Sequence, residues 1–549
     1  MRKLAVLLVL SLVVGVGVTA LWPQRMELAL RLAVALDNLR NPVADNRPVT
    51  WQQGTRTDTA SKQPNIVLIV VDDLGFNDLS FYNGERSTLP TPDIDALAAQ
   101  GVAFDNAYAG NAVCAPSRAM LMTGRYSTRF GFEYTPAPVA IARMFDITFK
   151  DSNALHKPQI NMAGVESMPP FETLGMPSEE VTLAELLRAQ GYHTVHIGKW
   201  HLGRGEGMRP EHQGFNESLL MESGLYLPAD DPQVVNARQD FDPLDQALWL
   251  RMRYAASYNG GELFEPRGYL TDYYTEEAVK VIEANRNRPF FLYLAHWGVH
   301  SPLQALKTDY DALSHIEDHR LRVYSAMLRA LDRSVRQVRK ALQENGIDDN
   351  TLVIFTSDNG APGYLGLPEL NAPYRGWKLT LFEGGVHVPL FMRWPEGISA
   401  GSRLTHPVSH LDIFSTVAAA TGATLPDDRI VDGVDLLPHI SGRDNTLPHD
   451  IIFWRQGHYQ GARTQHLKFM RSDNPDKVWL FDLTADPLEQ KNIAEQHPAV
   501  VKQFERKLAE HNAGQSPSRW PSIASLPVLI DKTSAQPAAP DDEYVYWPN

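Results

Sequence analysis

The chain has 549 residues, 43% hydrophobic, 21% charged and 9% aromatic, with 37 Gly, 38 Pro and one Cys. That composition excludes a disordered chain, a collagen-like repeat and a disulfide scaffold. A formal net charge of −14 argues against a nucleic-acid binder that works through a basic surface.

Met1-Arg2-Lys3 precedes an uncharged run over 4–21 that includes Val18-Thr19-Ala20. A basic start, an apolar stretch and small residues at its end are the parts of a secretory signal. The run also approaches the roughly 20 residues of a spanning helix. Residues 1–22 are therefore expected to be a signal peptide or a membrane anchor. Either one exports the rest, to the periplasm or the extracellular space. Residues 23–63 read as a helical segment followed by a polar linker over 40–63. With Cys114 as its single cysteine, the exported chain has no internal disulfide.

Asn65-Ile66-Val67-Leu68-Ile69-Val70-Val71 is apolar after its first residue, as a central strand covered on both faces should be. Similar runs at 194–197, 289–294 and 351–355 predict further strands, and helical patterns cover 181–190, 271–285 and 316–345. This alternation predicts an α/β fold, a large, mostly parallel sheet sandwiched by helices. Residues 135–175 and 204–265 lack periodicity and read as substrate-facing insertions. Past 440, short strands at 451–454, 466–470 and 478–483 and a helix at 499–511 predict a smaller α+β subdomain. A loosely structured Pro-rich tail follows it. The expected division is 64–440 for the catalytic domain and 441–549 for the subdomain and tail.

In open α/β sheets ligands bind beyond the carboxyl ends of the strands. Here those ends carry Asp72-Asp73, then Lys199-Trp200-His201, then His296 and His300, then Asp358-Asn359-Gly360. Each alone suits a turn, a cap or a core position. Recurring at successive strand ends, they would converge on one crevice. Oxygen ligands from Asp72, Asp73, Asp358 and Asn359 suit a hard cation such as Ca²⁺ or Mg²⁺. Lysine and histidine beside it suit an anionic substrate. Pro116 favours a first helical turn, which sets Cys114 at a positive helix end with Arg118 one turn on.

Cys114-Ala-Pro-Ser-Arg118, followed by Ala-Met-Leu-Met-Thr-Gly124, resembles the first signature of the type I sulfatases. Gly191-Tyr-His-Thr-Val-His-Ile-Gly-Lys199-Trp-His201 resembles the second. Asp72-Asp73, Val299-His300-Ser301-Pro302, Ser357-Asp358-Asn359-Gly360 and Lys378 with Glu383-Gly384-Gly385 fit further family blocks, so the resemblance spans about 64–495. It implies the alkaline-phosphatase-like fold and hydrolysis of sulfate esters. Cys114 would be oxidised by a formylglycine-generating enzyme to Cα-formylglycine, whose hydrated aldehyde attacks sulfur; its second hydroxyl then helps expel sulfate. Asp72, Asp73, Asp358, Asn359 and residue 114 would ligate the cation. Arg118, Lys199 and His201 would surround the nucleophile, Lys378 would contact the sulfate, and His300 would donate a proton or contact it. His387 departs from the pattern, where many relatives carry arginine.

A phosphonate monoester or phosphodiester hydrolase could use the same site. A silent glycan binder should have lost Cys114, Arg118 or Lys199, and none is missing. A metal-independent cysteine hydrolase leaves the carboxylates unexplained. Trp200, Trp297 and Trp377 near the motifs would suit stacking on a sugar ring, which favours a sulfated carbohydrate substrate.

Overall fold

A computed structural model describes residues 34, 36–55, 63–84, 90–150 and 152–549. The expected signal or anchor at 1–22 lies outside the described residues. Among those residues no helix is long and apolar enough to cross a membrane.

Nine strands form the central sheet: β1 (Asn65–Val71), β2 (Val102–Phe104), β3 (His193–Gly198), β4 (Glu217–Gly224), β5 (Tyr254–Tyr258), β6 (Phe290–Ala295), β7 (Thr351–Ser357), β8 (Leu390–Arg393) and β9 (Ser402–Leu404). Their order is β9-β2-β8-β7-β1-β6-β3-β4-β5. The centre, β7-β1-β6-β3-β4, is parallel, while β8 and β5 run antiparallel to their neighbours. β1 is buried along its whole length because its side chains feed two cores. Val67, Ile69 and Val71 pack with Tyr274 and Ile282 of one helix, Leu270–Asn285, and with Leu331 and Val338 of another, His319–Glu344. Ile66, Leu68 and Val70 face the opposite side, with Ala115 and Ala119 of α1 (Cys114–Thr123) and Phe414.

The expected α/β sandwich is therefore present, but the insertions are not all loops. Residues 204–265 supply β4 and β5, which extend the sheet. Their short, mixed sequences gave no clear strand period. The linker expectation for 40–63 also changes over 41–55. There Trp51 is 4% exposed and donates to Glu277 (2.8 Å), Ala44 pairs with the Leu263–Glu265 backbone, and Gly54 NH donates to Ala284.

Beyond 440, β10 (Ile452–Gln456), β11 (Tyr459–Arg463), β12 (Leu467–Asp473) and β13 (Asp476–Asp482) form an antiparallel sheet. One face packs on Phe504 and Leu508 of the helix Pro498–Ala513. The other packs through Trp454, Tyr459 and Trp479 on Val113, Leu381 and Phe382 of the central domain. The tail is ordered, contrary to the expectation for it. β14 (Ala524–Leu529) and β15 (Tyr544–Pro548) pair with each other, β14 also pairs with Gln159–Ile160, and Trp547 is fully buried. The apolar run Tyr544-Val-Tyr-Trp547 outweighs the Pro and Asp around it.

Candidate active site

The register of the parallel strands sets the site. Val71 is level with Ser357, Val70 with Ala295, and Ala295 with Gly198. The residues that follow these positions therefore emerge at one height: Asp72 and Asp73, Asp358 and Asn359, Lys199, and the His296–His300 segment. Gly198 (φ +106) is required there, because a Cβ would lie 1.9 Å from the Ala295 carbonyl oxygen. α1 aims its first residue, Cys114, at this edge, and all ten of its residues are buried.

Cys114 Sγ donates to Asp72 Oδ1 at 3.4 Å and stands 3.8 Å from Asp73 Oδ1. Lys199 pairs with Asp72. Lys378 Nζ spans Asp73, 2.7 Å from Oδ1 and 2.9 Å from Oδ2. Arg118 donates through Nε to Asp358 (2.8 Å) and through Nη1 to the Tyr293 hydroxyl (3.1 Å), and its Nη2 lies 3.4 Å from Asp72. Asn359 Nδ2 donates to Asp73 Oδ1 at 2.7 Å. His300 Nε2 stands 3.6 Å from Asp73 Oδ2. Its Nδ1 lies 2.6 Å from the Ser301 carbonyl, which assigns the ring proton to Nδ1 in the neutral form. Asp73, His201 and Leu379 all hold positive φ (63°, 65° and 70°), backbone strain gathered within or beside the site.

Three carboxylates thus face three cations. Burial, reinforced by the charge of Asp358, raises Asp72 to about 7. Burial would raise Asp73 too, but Lys378, His300 and Lys199 hold it well below the usual carboxylate range. Burial and the Asp358 charge push the Cys114 thiol far up, so the unmodified side chain is a neutral donor and a poor nucleophile. Burial takes His300 to about 3, with Asp73 opposing. Burial and the neighbouring Lys199 take His201 well down.

The donor set fits a divalent cation. Asp72, Asp73, Cys114 and His300 offer ligand atoms that all lie within 4.8 Å of one another. Asn359 Oδ1 is a buried acceptor with no hydrogen-bond partner. Asp358 is committed to Arg118 and to the Asp73 backbone NH (3.2 Å).

The sulfatase family model matches residues 64–423, and the model for the C-terminal part of N-sulphoglucosamine sulphohydrolase matches 376–514. The chain belongs to the sulfatase family. The chain is 31% identical to human steryl-sulfatase, with 76% of each chain covered, and 35% identical to human N-acetylgalactosamine-6-sulfatase, with 72% of this chain and 69% of that one covered. The solved structure of Ps i-CgsB is 30% identical at a TM-score of 0.69, covering 84% of this chain and 95% of that one. The sulfatase is a sulfuric ester hydrolase on the alkaline-phosphatase-like fold.

All the residues that the sequence of this sulfatase singles out for the site reach it except His296, which turns away and pairs with Ser334 (2.9 Å). The three tryptophans are not open stacking platforms: Trp200, Trp297 and Trp377 are 2%, 5% and 7% exposed. Trp200 donates to the Met208 carbonyl. Trp297 underlies the site, with Lys199 4.8 Å over its ring and the His300 ring stacked at 3.9 Å. Tyr364 is a site residue that the sequence did not reveal. Its hydroxyl donates to Asp73 Oδ2 (3.1 Å) and accepts from Lys378 (3.3 Å). A lone tyrosine in a Gly-rich turn carries no signal of that role.

Proposed function

We propose that this sulfatase is exported and removes sulfate from carbohydrate esters, with residue 114 as the nucleophile after maturation of Cys114 to formylglycine. The observation that carries the reading is the single cysteine at the first position of α1, its Sγ against both Asp72 and Asp73 with Lys199 and Arg118 alongside. Formylglycine supplies a hydroxyl nucleophile that a buried thiol does not. A divalent cation, Ca²⁺ or Mg²⁺, would be held by Asp72, Asp73, Asp358, Asn359 and residue 114; it would supply polarisation of the sulfate oxygens. The protein's three carboxylates and three cations balance, so a divalent charge is left to offset the ester anion and the ionising nucleophile.

Arg118 and Lys199 hold the attacking group of residue 114, and His201 closes the same side. Lys378 meets the sulfate oxygens and the departing oxygen. His300 faces that oxygen from Nε2; the negative sulfate beside it raises its affinity for the proton that it passes to the alcohol. Cys114 is 2% exposed, so its maturation precedes folding. A carbohydrate substrate is supported by Ps i-CgsB, solved in complex with k-i-k-neocarrahexaose, and by the sugar in the name of the 35% identical human relative.

The deciding measurement is the mass of the peptide containing residue 114, taken from protein made in its own host. Formylglycine is expected, and unmodified cysteine in active protein overturns the mechanism. Cys114→Ala is expected to fold and to lose turnover. Chelation is expected to remove activity and added Ca²⁺ or Mg²⁺ to restore it. Paired assays on a sugar sulfate, a steryl sulfate and a phosphonate monoester separate the substrate classes; preference for either of the last two overturns the carbohydrate reading.

A further inference from the structure

The turn that carries Tyr364 packs against side chains that the sulfate chemistry does not use. Tyr364 lies in the short turn Gly363–Leu365, and the chain then bends at Gly366 (φ +70). A Cβ at Gly366 would fall 2.6 Å from an Arg320 guanidinium nitrogen and 2.7 Å from the Phe241 ring. Two residues of chain span at most about 7 Å, so Phe241 and Arg320 lie close to the turn that presents the active-site tyrosine. Phe241 is 36% exposed, and the Arg320 guanidinium lies 5.0 Å over its ring. Arg320 Nη1 donates to the Leu365 and Gly366 carbonyls (3.1 and 3.2 Å), and among the described residues Arg320 has no carboxylate partner. The turn that presents Phe241 is held on both sides. Gln239 NH donates to Asp245 (2.9 Å), and Asp242 caps the helix Pro243–Arg251 by accepting from Leu244 NH (2.9 Å).

A lone exposed phenylalanine calls for no explanation. This one shares its face with an arginine that lacks an acidic partner, beside a pocket that handles anions, in a chain of net charge −14. We propose that Phe241 and Arg320 form a subsite for a second ring of the substrate, one that bears its own sulfate or carboxylate. The ring packs on the exposed part of Phe241, and the anion takes the guanidinium nitrogens that point away from the turn. This inference rests on the carbohydrate reading above.

The test uses Phe241→Ala and Arg320→Met with three substrates: 4-nitrophenyl sulfate, a disaccharide with one sulfate on each ring, and the same disaccharide with the scissile sulfate alone. For the disulfated sugar each variant is expected to raise KM about tenfold with kcat held, the size of one ring-packing contact for Phe241→Ala and of one charge-assisted contact for Arg320→Met. Aryl sulfate kinetics should not move, and the Arg320→Met effect should shrink on the monosulfated sugar. Calorimetric titration of the Cys114→Ala protein, alone and combined with each variant, reads binding without turnover. If that protein binds the disulfated sugar and neither variant weakens it, the subsite is wrong and the carbohydrate reading stands. If the wild type cleaves the aryl sulfate and no sugar is bound, the carbohydrate reading fails and takes the subsite with it. Equal losses on all three substrates mean a structural role and overturn the proposal; thermal melts of both variants identify that case.

Discussion

Asp73 accepts from Lys378, Asn359, Tyr364 and Cys114, and removing the Tyr364 hydroxyl leaves every charge in place. Tyr364→Phe keeps the ring and its packing but takes a hydrogen bond from a carboxylate and an acceptor from Lys378. A hydrogen bond to a charged group contributes about 1.5–3 kcal/mol, so kcat/KM on an aryl sulfate is expected to fall about tenfold or more. Steady-state kinetics beside a thermal melt check this, and an unchanged rate would remove Tyr364 from the site's working parts. The residue scale is also where legibility in the sequence varies most. Asp72, Asp73, Lys199, Asp358 and Asn359 could be read because each directly follows an apolar strand. Tyr364 could not, because its partners are 291 residues earlier and 14 later, and a turn sequence names neither.

Among elements, the segment that carries Lys378 depends on the C-terminal sheet. Lys468 of β12 is fully buried, 2.7 Å from Glu383 and 2.9 Å from Glu489. Glu489 accepts the Glu383 backbone NH at 2.7 Å, and His387, the departure from the family pattern, lies 2.9 Å from Glu383. Lys468→Met leaves two buried carboxylates sharing no lysine, and breaking a buried pair in this way costs about 3–5 kcal/mol; urea unfolding measures it. Burial, together with the charge of Glu383, lifts Glu489 to about 7, against the pull of Lys468. A carboxyl whose folded pKa lies above its unfolded value holds more protons when folded, so its stabilising share is present at low pH and is lost as pH rises towards and through 7. Stability is expected to decline over that window, and the decline to flatten in Glu489→Gln. An equal slope in both proteins would place the titration elsewhere.

For the whole molecule, the two ends of the described chain close the fold. Residues 41–55 lie along the β4–β5 side, with Trp51 bonded to Glu277 and Gln52 NH donating to Glu217 (3.0 Å). Trp51→Ala is expected to destabilise by about 3–5 kcal/mol, measured by denaturant titration, with turnover per folded molecule unchanged. The tail, through β14, β15 and Trp547, covers the outer face of the segment that carries Lys378. Neither end was legible as structure. Polar and Pro-rich stretches with scattered aromatics have no period of their own, and only a partner surface gives those aromatics a place.

What the sequence by itself determined is the local and the repeated: the apolar runs of the central strands, the charged residues just beyond them, the helix that begins at Cys114, and the family motifs. These follow from short-range chemistry, where an uninterrupted apolar run demands burial on both faces and a carboxylate at its end demands a partner. The tertiary structure alone decided which partner. It turned His296 to Ser334, laid Trp297 beneath Lys199 and His300, brought Tyr364 to Asp73, and set Phe241 against Arg320. Those pairings depend on strand register and on loops that meet only after the sheet has formed, distances that no window of sequence contains.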